Sequence, residues 1–217
     1  IQNYFIPLSN FASSSLPYFD FGIFRRYDIF PDFCDAFSLC SNLESVSIPN
    51  FEKYDAFDDL SKKISVFKYL QHISIGAKKT GKFKDFCKES KNATSLKSIE
   101  LTNPDLELLP KDLTSLSDLA KNNSFNSLSI HSKINDPRSF FLFLSDEKLS
   151  NNLRLFELEG FNFTESTFND FLSKLNHLYG LSIINCKIEL GLILRSIFKC
   201  ETLRMLKIKK TSCHLQD

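Results

Sequence analysis

No run of about 18 apolar residues occurs anywhere in this chain of 217, so no segment has the reach and apolarity of a membrane-spanning helix. The chain is expected to be soluble. Charge of one sign is also missing: 27 Lys and Arg face 26 Asp and Glu, a net +1, so no global field draws the protein to nucleic acid or an anionic membrane. Any charge-driven binding must be local. Six cysteines are present without a single C-x-x-C pair. The closest two, Cys34 and Cys40, sit at helix-like spacing beside Phe33 and Phe37. They read as reduced, partly buried thiols rather than as disulfides or zinc ligands, which suits an intracellular setting, cytoplasmic or nuclear. Three sequons, at Asn92, Asn122 and Asn162, would suit secretion, but in a chain rich in Asn, Ser and Thr they read as accidental.

Catalytic signatures are absent too. There is no G-x-S-x-G, no H-E-x-x-H and no convincing nucleophile–base pair. The four histidines, His72, His131, His177 and His214, do not cluster, and Cys213-His214 has no further ligands near it in sequence. Neither metal nor cofactor is expected. The stretch GAKKTGKF, residues 76–83, comes within one residue of the phosphate-binding pattern G-x-x-x-x-G-K-[ST], but Phe83 stands where that pattern needs a magnesium-binding hydroxyl. It follows an alternating apolar run, HISI, and precedes a candidate helix, FKDFCKES.

What the chain does have is a repeat. The pattern L-x-x-L-x-L recurs at Leu16/Phe19/Phe21, Leu43/Val46/Ile48, Leu70/Ile73/Ile75, Leu96/Ile99/Leu101, Phe125/Leu128/Ile130, Leu153/Phe156/Leu158, Leu178/Leu181/Ile183 and Leu203/Leu206/Ile208. Successive first positions lie 27, 27, 26, 29, 28, 25 and 25 residues apart, within the range of one repeat architecture. Between these triads the apolar spacing becomes helical. Phe57, Leu60, Ile64 and Phe67 share one helical face. Asp136-Pro137 reads as a helix entry, with the dense run Phe140–Leu144 expected to be largely buried. A further helix is expected from Thr167, burying Phe168, Phe171, Leu172 and Leu175.

Strand then helix, eight times over residues 1–217, predicts a single α/β domain: a curved parallel sheet with helices outside it. The chain resembles the leucine-rich repeat family over nearly its whole length. LYGLSIINCKI, residues 178–188, is the closest match, with Cys186 where the family carries Asn or Cys. Elsewhere that slot holds Phe24, Phe51, Lys78, Pro104, Lys133, Phe161 and Thr211, so the family's polar ladder is expected to be mostly missing and partly replaced by phenylalanine. The long period is similar to the ribonuclease-inhibitor and F-box-associated subclasses. The resemblance implies a horseshoe, a non-catalytic binding role and a protein partner. The last strand is followed by no amphipathic cap, so the sequence is expected to be part of a longer chain or to be covered by a partner at that end.

In this register Gly76–Lys82 becomes the connection from strand to helix, with Phe83 as the first core residue of that helix. The lysines Lys78, Lys79, Lys82 and Lys84 then form a basic loop, either solvated or a possible anion contact. Residues alternating with the core positions point into the hollow of the arc: Tyr18, Asp20, Ser47, His72, Ser74, Glu100, Ser129, His131, Leu155, Glu157, Glu159, Ser182, Ile184, Met205, Lys207 and Lys209. They are the candidate partner-binding surface, mostly small and polar, with apolar contact from Leu155, Ile184 and Met205. Two readings of the serines remain open, partner recognition or plain solubility of the sheet. His72 and His131 sit two repeats apart, about 10 Å by ordinary strand spacing, too far to share a metal. His177 is expected at a helix end, where positive charge is favoured. Besides a protein scaffold, two alternatives fit: the substrate-recognising part of an F-box-type ubiquitin ligase, and an RNA-contacting subunit that uses its lysine loops.

Overall fold

The computed structural model describes residues 18–20, 42–48, 56–77, 80–131, 133–134, 137–198 and 200–210. Numbered in chain order, the strands are β1 Tyr18–Asp20, β2 Ser45–Ile48, β3 His72–Ile75, β4 Ser98–Leu101, β5 Glu107–Leu108, β6 Ser127–His131, β7 Lys133–Ile134, β8 Leu155–Glu159, β9 Gly180–Ile184 and β10 Met205–Lys209. Eight of them form one parallel sheet in the order β1-β2-β3-β4-β6-β8-β9-β10, which is the order of the chain. The short β5 and β7 pair with each other beside it.

The register is the one the repeat implies. Phe19, Val46, Ile73, Ile99, Leu128, Phe156, Leu181 and Leu206 are successive Cα partners, and Ile48, Ile75, Leu101, Ile130, Leu158, Ile183 and Ile208 form the next row. From β2 to β9 these residues are buried, each full burial stabilising the fold by roughly 1.5–3 kcal/mol. The triad's first positions from Leu43 to Leu178 are buried as well, just ahead of each strand. Leu206, in the same slot of β10, is 40% exposed.

The described helices between strands are Ala56–Lys63, Phe83–Ser90, Pro110–Asn123, Pro137–Leu144, Glu147–Asn152, Glu165–Lys174 and Leu190–Ile197. The strand–helix alternation is not uniform, because β6 and β8 are joined through two helices, and β5 precedes the helix Pro110–Asn123. Phe57, Leu60, Ile64 and Phe67 are all buried, although the α-helix ends at Lys63 and a 3₁₀ turn, Ile64–Val66, carries the chain on. The helix expected from Thr167 begins two residues earlier: the Thr164 hydroxyl accepts from the Thr167 amide and caps it. It does bury Phe168, Phe171, Leu172 and Leu175. In the Phe140–Leu144 run, Phe140, Phe143 and Leu144 are buried but Leu142 is 74% exposed. Successive helical residues are 100° apart, so five in a row encircle the helix and cannot all face the core. His177 lies beyond Lys174, the last residue of its helix, in the turn leading to β9.

The polar ladder is fuller than the slot residues suggest. The Cys186 thiol donates to the Ile184 carbonyl at 3.2 Å and lies 3.9 Å from the Leu158 carbonyl of the preceding repeat. In the repeat of β4 the exposed Pro104 fills the slot, but buried Asn103, one residue earlier, does the work. Its amide donates to the Ala77 carbonyl at 2.9 Å, and its oxygen accepts from the Asp105 amide. Phe161 packs against Phe140 at 4.9 Å and Phe163 at 5.8 Å, an aromatic filling of the same slot. Phe24, Phe51, Lys78 and Thr211 lie outside the described residues.

Candidate functional site

Alternation along each strand leaves one face of the sheet lined by the residues between the core positions, and strand register sorts them into rows. The first row reads His72, Ser98, Ser127, Leu155, Gly180, Met205; the second Ser47, Ser74, Glu100, Ser129, Glu157, Ser182, Lys207; the third includes His131, Glu159, Ile184 and Lys209. Tyr18 and Asp20 continue the alignment at the backbone level of β1. A groove of about 690 Å³ runs across these rows from His72 to Lys207. It contains half of the outward residues the sequence singles out: His72, Glu100, Ser129, Leu155, Glu157, Ser182, Met205 and Lys207.

The centre of the face is a chain of polar contacts. His131 stands between two carboxylates of the next strand, with Nε2 2.7 Å from Glu157 Oε1 and Nδ1 3.2 Å from Glu159 Oε2. Ser129 Oγ approaches the same Nε2 at 3.0 Å, and Lys207 Nζ lies 3.4 Å from Glu157 Oε2. Burial alone would raise the Glu157 pKa. The hydroxyl dipole of Ser182, the His131 contact and the charges of Lys207 and His131 outweigh it and hold the carboxyl below its usual value. Ser182 Oγ is buried against that carboxylate yet outside strict hydrogen-bond geometry, so its contribution is electrostatic more than directional.

Nearer β4, His72 Nδ1 is 2.9 Å from Ser98 Oγ, and its Nε2 is 3.9 Å from Glu100. Burial lowers the His72 pKa, and Glu100 only partly offsets this. Both shifts carry the same sign for stability. His72 and Glu157 each bind protons more readily in the unfolded chain, so stability is greatest above their ordinary values and falls with acidification. The thermal midpoint is therefore expected to drop slightly between about pH 7 and 5, the window of His72, and further below about pH 4.5, that of Glu157. In His72→Gln the upper part of this slope should flatten; an unchanged slope would clear His72 of it.

At the β8–β10 end the chemistry turns apolar. Leu155 is 44% exposed and Met205 56% exposed, while Gly180 between them is buried. A Cβ on Gly180 would stand 2.7 Å from Leu155 Cδ2, so the missing side chain is what lets Leu155 lean across β9.

Among the described residues, no three His, Cys, Asp or Glu side chains converge as metal ligands. In the His131 cluster the carboxylates sit on opposite ring nitrogens, so the ligands diverge. His72 and His131 belong to separate contact groups. Three cysteines, Cys87, Cys186 and Cys200, are free thiols, with burial pushing each pKa up. The basic loop is less available than its sequence suggests: Lys82 pairs with Asp85 at 3.5 Å, Lys84 is exposed, and Lys78 and Lys79 lie outside the described residues. A second hollow, about 520 Å³ among the helices, is edged by polar groups that serve one another, Ser196 to Asn169 at 2.6 Å and Thr202 to the Leu178 carbonyl. No described helix is long and apolar enough to cross a membrane.

No protein-family model matches the chain, and no curated protein matches it. Among solved structures the chain is similar to one in the crystal structure of the TLR13-ssRNA13 complex, with 12% sequence identity and a TM-score of 0.38 over 84% of this chain and 34% of that one. The chain thus spans about a third of that chain's length.

Proposed function

We propose that the chain is a single leucine-rich-repeat domain, curved as a horseshoe, that catalyses nothing and binds a protein partner across the outward face of its sheet. It acts as a scaffold or as a subunit of a larger assembly. The observation that carries this reading is the groove itself. Side chains from strands β3 to β10 line one continuous surface that mixes apolar area, serines and both signs of charge. The other candidate chemistries lose support by comparison. Lys82 and Lys207 already answer carboxylates, which weakens the case for a phosphate-binding patch, and Phe83 is a core residue. Free thiols at Cys87, Cys186 and Cys200 favour a reducing, intracellular setting.

The test is affinity purification with chemical crosslinking, comparing the native chain, a blocked-face variant carrying Ser127→Arg and Ser129→Arg, and a helix-side variant, Lys111→Glu. Proteins recovered with the native chain should fall by about tenfold or more on the blocked face and remain on the helix-side variant. Equal recovery on all three would overturn the reading.

A further inference from the structure

We infer that the groove takes an extended peptide segment whose apolar side chain packs on the exposed Leu155–Met205 patch and whose lysine or arginine, about four residues away, meets Glu100. This rests on the proposed function and names the partner chemistry of the same face. Among the described residues, this patch sets two exposed apolar side chains either side of a glycine in strict register, Leu155↔Gly180↔Met205, with Leu155 leaning over the glycine. A partner methyl or isobutyl group set there would cover the exposed parts of Leu155 and Met205 and lose its own water, the usual anchor arrangement of a binding face.

Charge selects the second contact. Of the carboxylates that line the groove, Glu157 is answered by Lys207 and His131. Among the described residues, Glu100 faces only an imidazole at 3.9 Å, and burial disfavours the charged form of that ring. Glu100 therefore presents a negative charge that a cation from outside would complement. Three strand steps, β4 to β6 to β8 to β9, separate it from Gly180, roughly 14 Å, which an extended chain covers in about four residues. A basic residue suits the Glu100 end, and an acidic one would be repelled there.

Fluorescence anisotropy with labelled synthetic peptides tests this. The probe GSLSSSRSG should bind the native chain about fivefold or more tightly than GSSSSSRSG or GSLSSSESG. Glu100→Lys should reverse the order of the arginine and glutamate peptides. Leu155→Ser and Met205→Ser, both at exposed positions, should erase the advantage of the leucine peptide, and Gly180→Ala should reduce it by displacing Leu155 from its seat over β9. Indifference to the leucine, to the charge or to these variants would overturn the inference, as would tighter, salt-sensitive binding of a labelled oligouridine. If the peptides fail while crosslinked partners are still lost from the Ser127→Arg, Ser129→Arg variant, the peptide inference falls and the binding-face reading stands.

Discussion

Phe83→Ser, the substitution that would complete the phosphate-binding pattern of GAKKTGKF, is expected to cost the fold about 4–6 kcal/mol and to confer no nucleotide binding. Phe83 is fully buried. Its ring meets Phe57 edge-on at 4.9 Å and lies 6.2 Å from Phe86, so it joins the helix Phe83–Ser90 to its neighbour Ala56–Lys63. Removing a buried phenyl group forfeits about 3–5 kcal/mol, and a hydroxyl left there without a partner adds to the loss. For a chain of this size the thermal midpoint should fall by roughly 10–20 °C. Calorimetry with ATP and GTP should show no binding by the native chain or the variant. A variant of native stability would contradict the placement of Phe83, and one that bound nucleotide would restore the phosphate-loop reading.

The second large effect is expected at Phe171. Its ring lies 5.6 Å from Phe156, 5.7 Å from Phe163 and 5.8 Å from Phe168, which makes it the junction between strand β8 and the helix Glu165–Lys174. Phe171→Ala should destabilise the protein by about 3–5 kcal/mol in denaturant unfolding. A double-mutant cycle with Phe156→Ala should reveal coupling of about 0.5–1.5 kcal/mol, the range of aromatic pairs in contact. Strict additivity would mean that the two rings do not support each other. Leu142→Ser serves as the control: at 74% exposure it should change stability very little.

The sheet was legible in the sequence because its two periods are independent. Alternation fixes which residues face the core, and the spacing of 25 to 29 fixes which strand positions become neighbours. Together they place Val46 beside Ile73 and Glu157 beside Ser182 without any knowledge of angles. What escaped was contact chemistry one register step away. His131 and Glu159 occupy equivalent slots of adjacent repeats, so their meeting could have been read from the same alignment. His72 and His131, by contrast, are two strands apart and in different rows. Asn103 escaped for another reason. A ladder residue displaced by one position depends on the local path of the turn, which apolar spacing does not encode. The buried state of Gly180 depends on the lean of Leu155, again a matter of side-chain direction rather than period.

The spacing of the outward rows has a metrical consequence for any ligand laid across them. Strands stand about 4.8 Å apart, whereas an extended chain returns a side chain to the same side only every 6.6 Å or so. The two scales behave like a vernier, falling into step only about once in every four strands. A long peptide therefore cannot answer every outward residue in turn, and discrimination must be concentrated at a few well-separated graduations. Serine at half of the central slots then makes physical sense: between the graduations the surface needs to be small, wettable and indifferent to what passes over it.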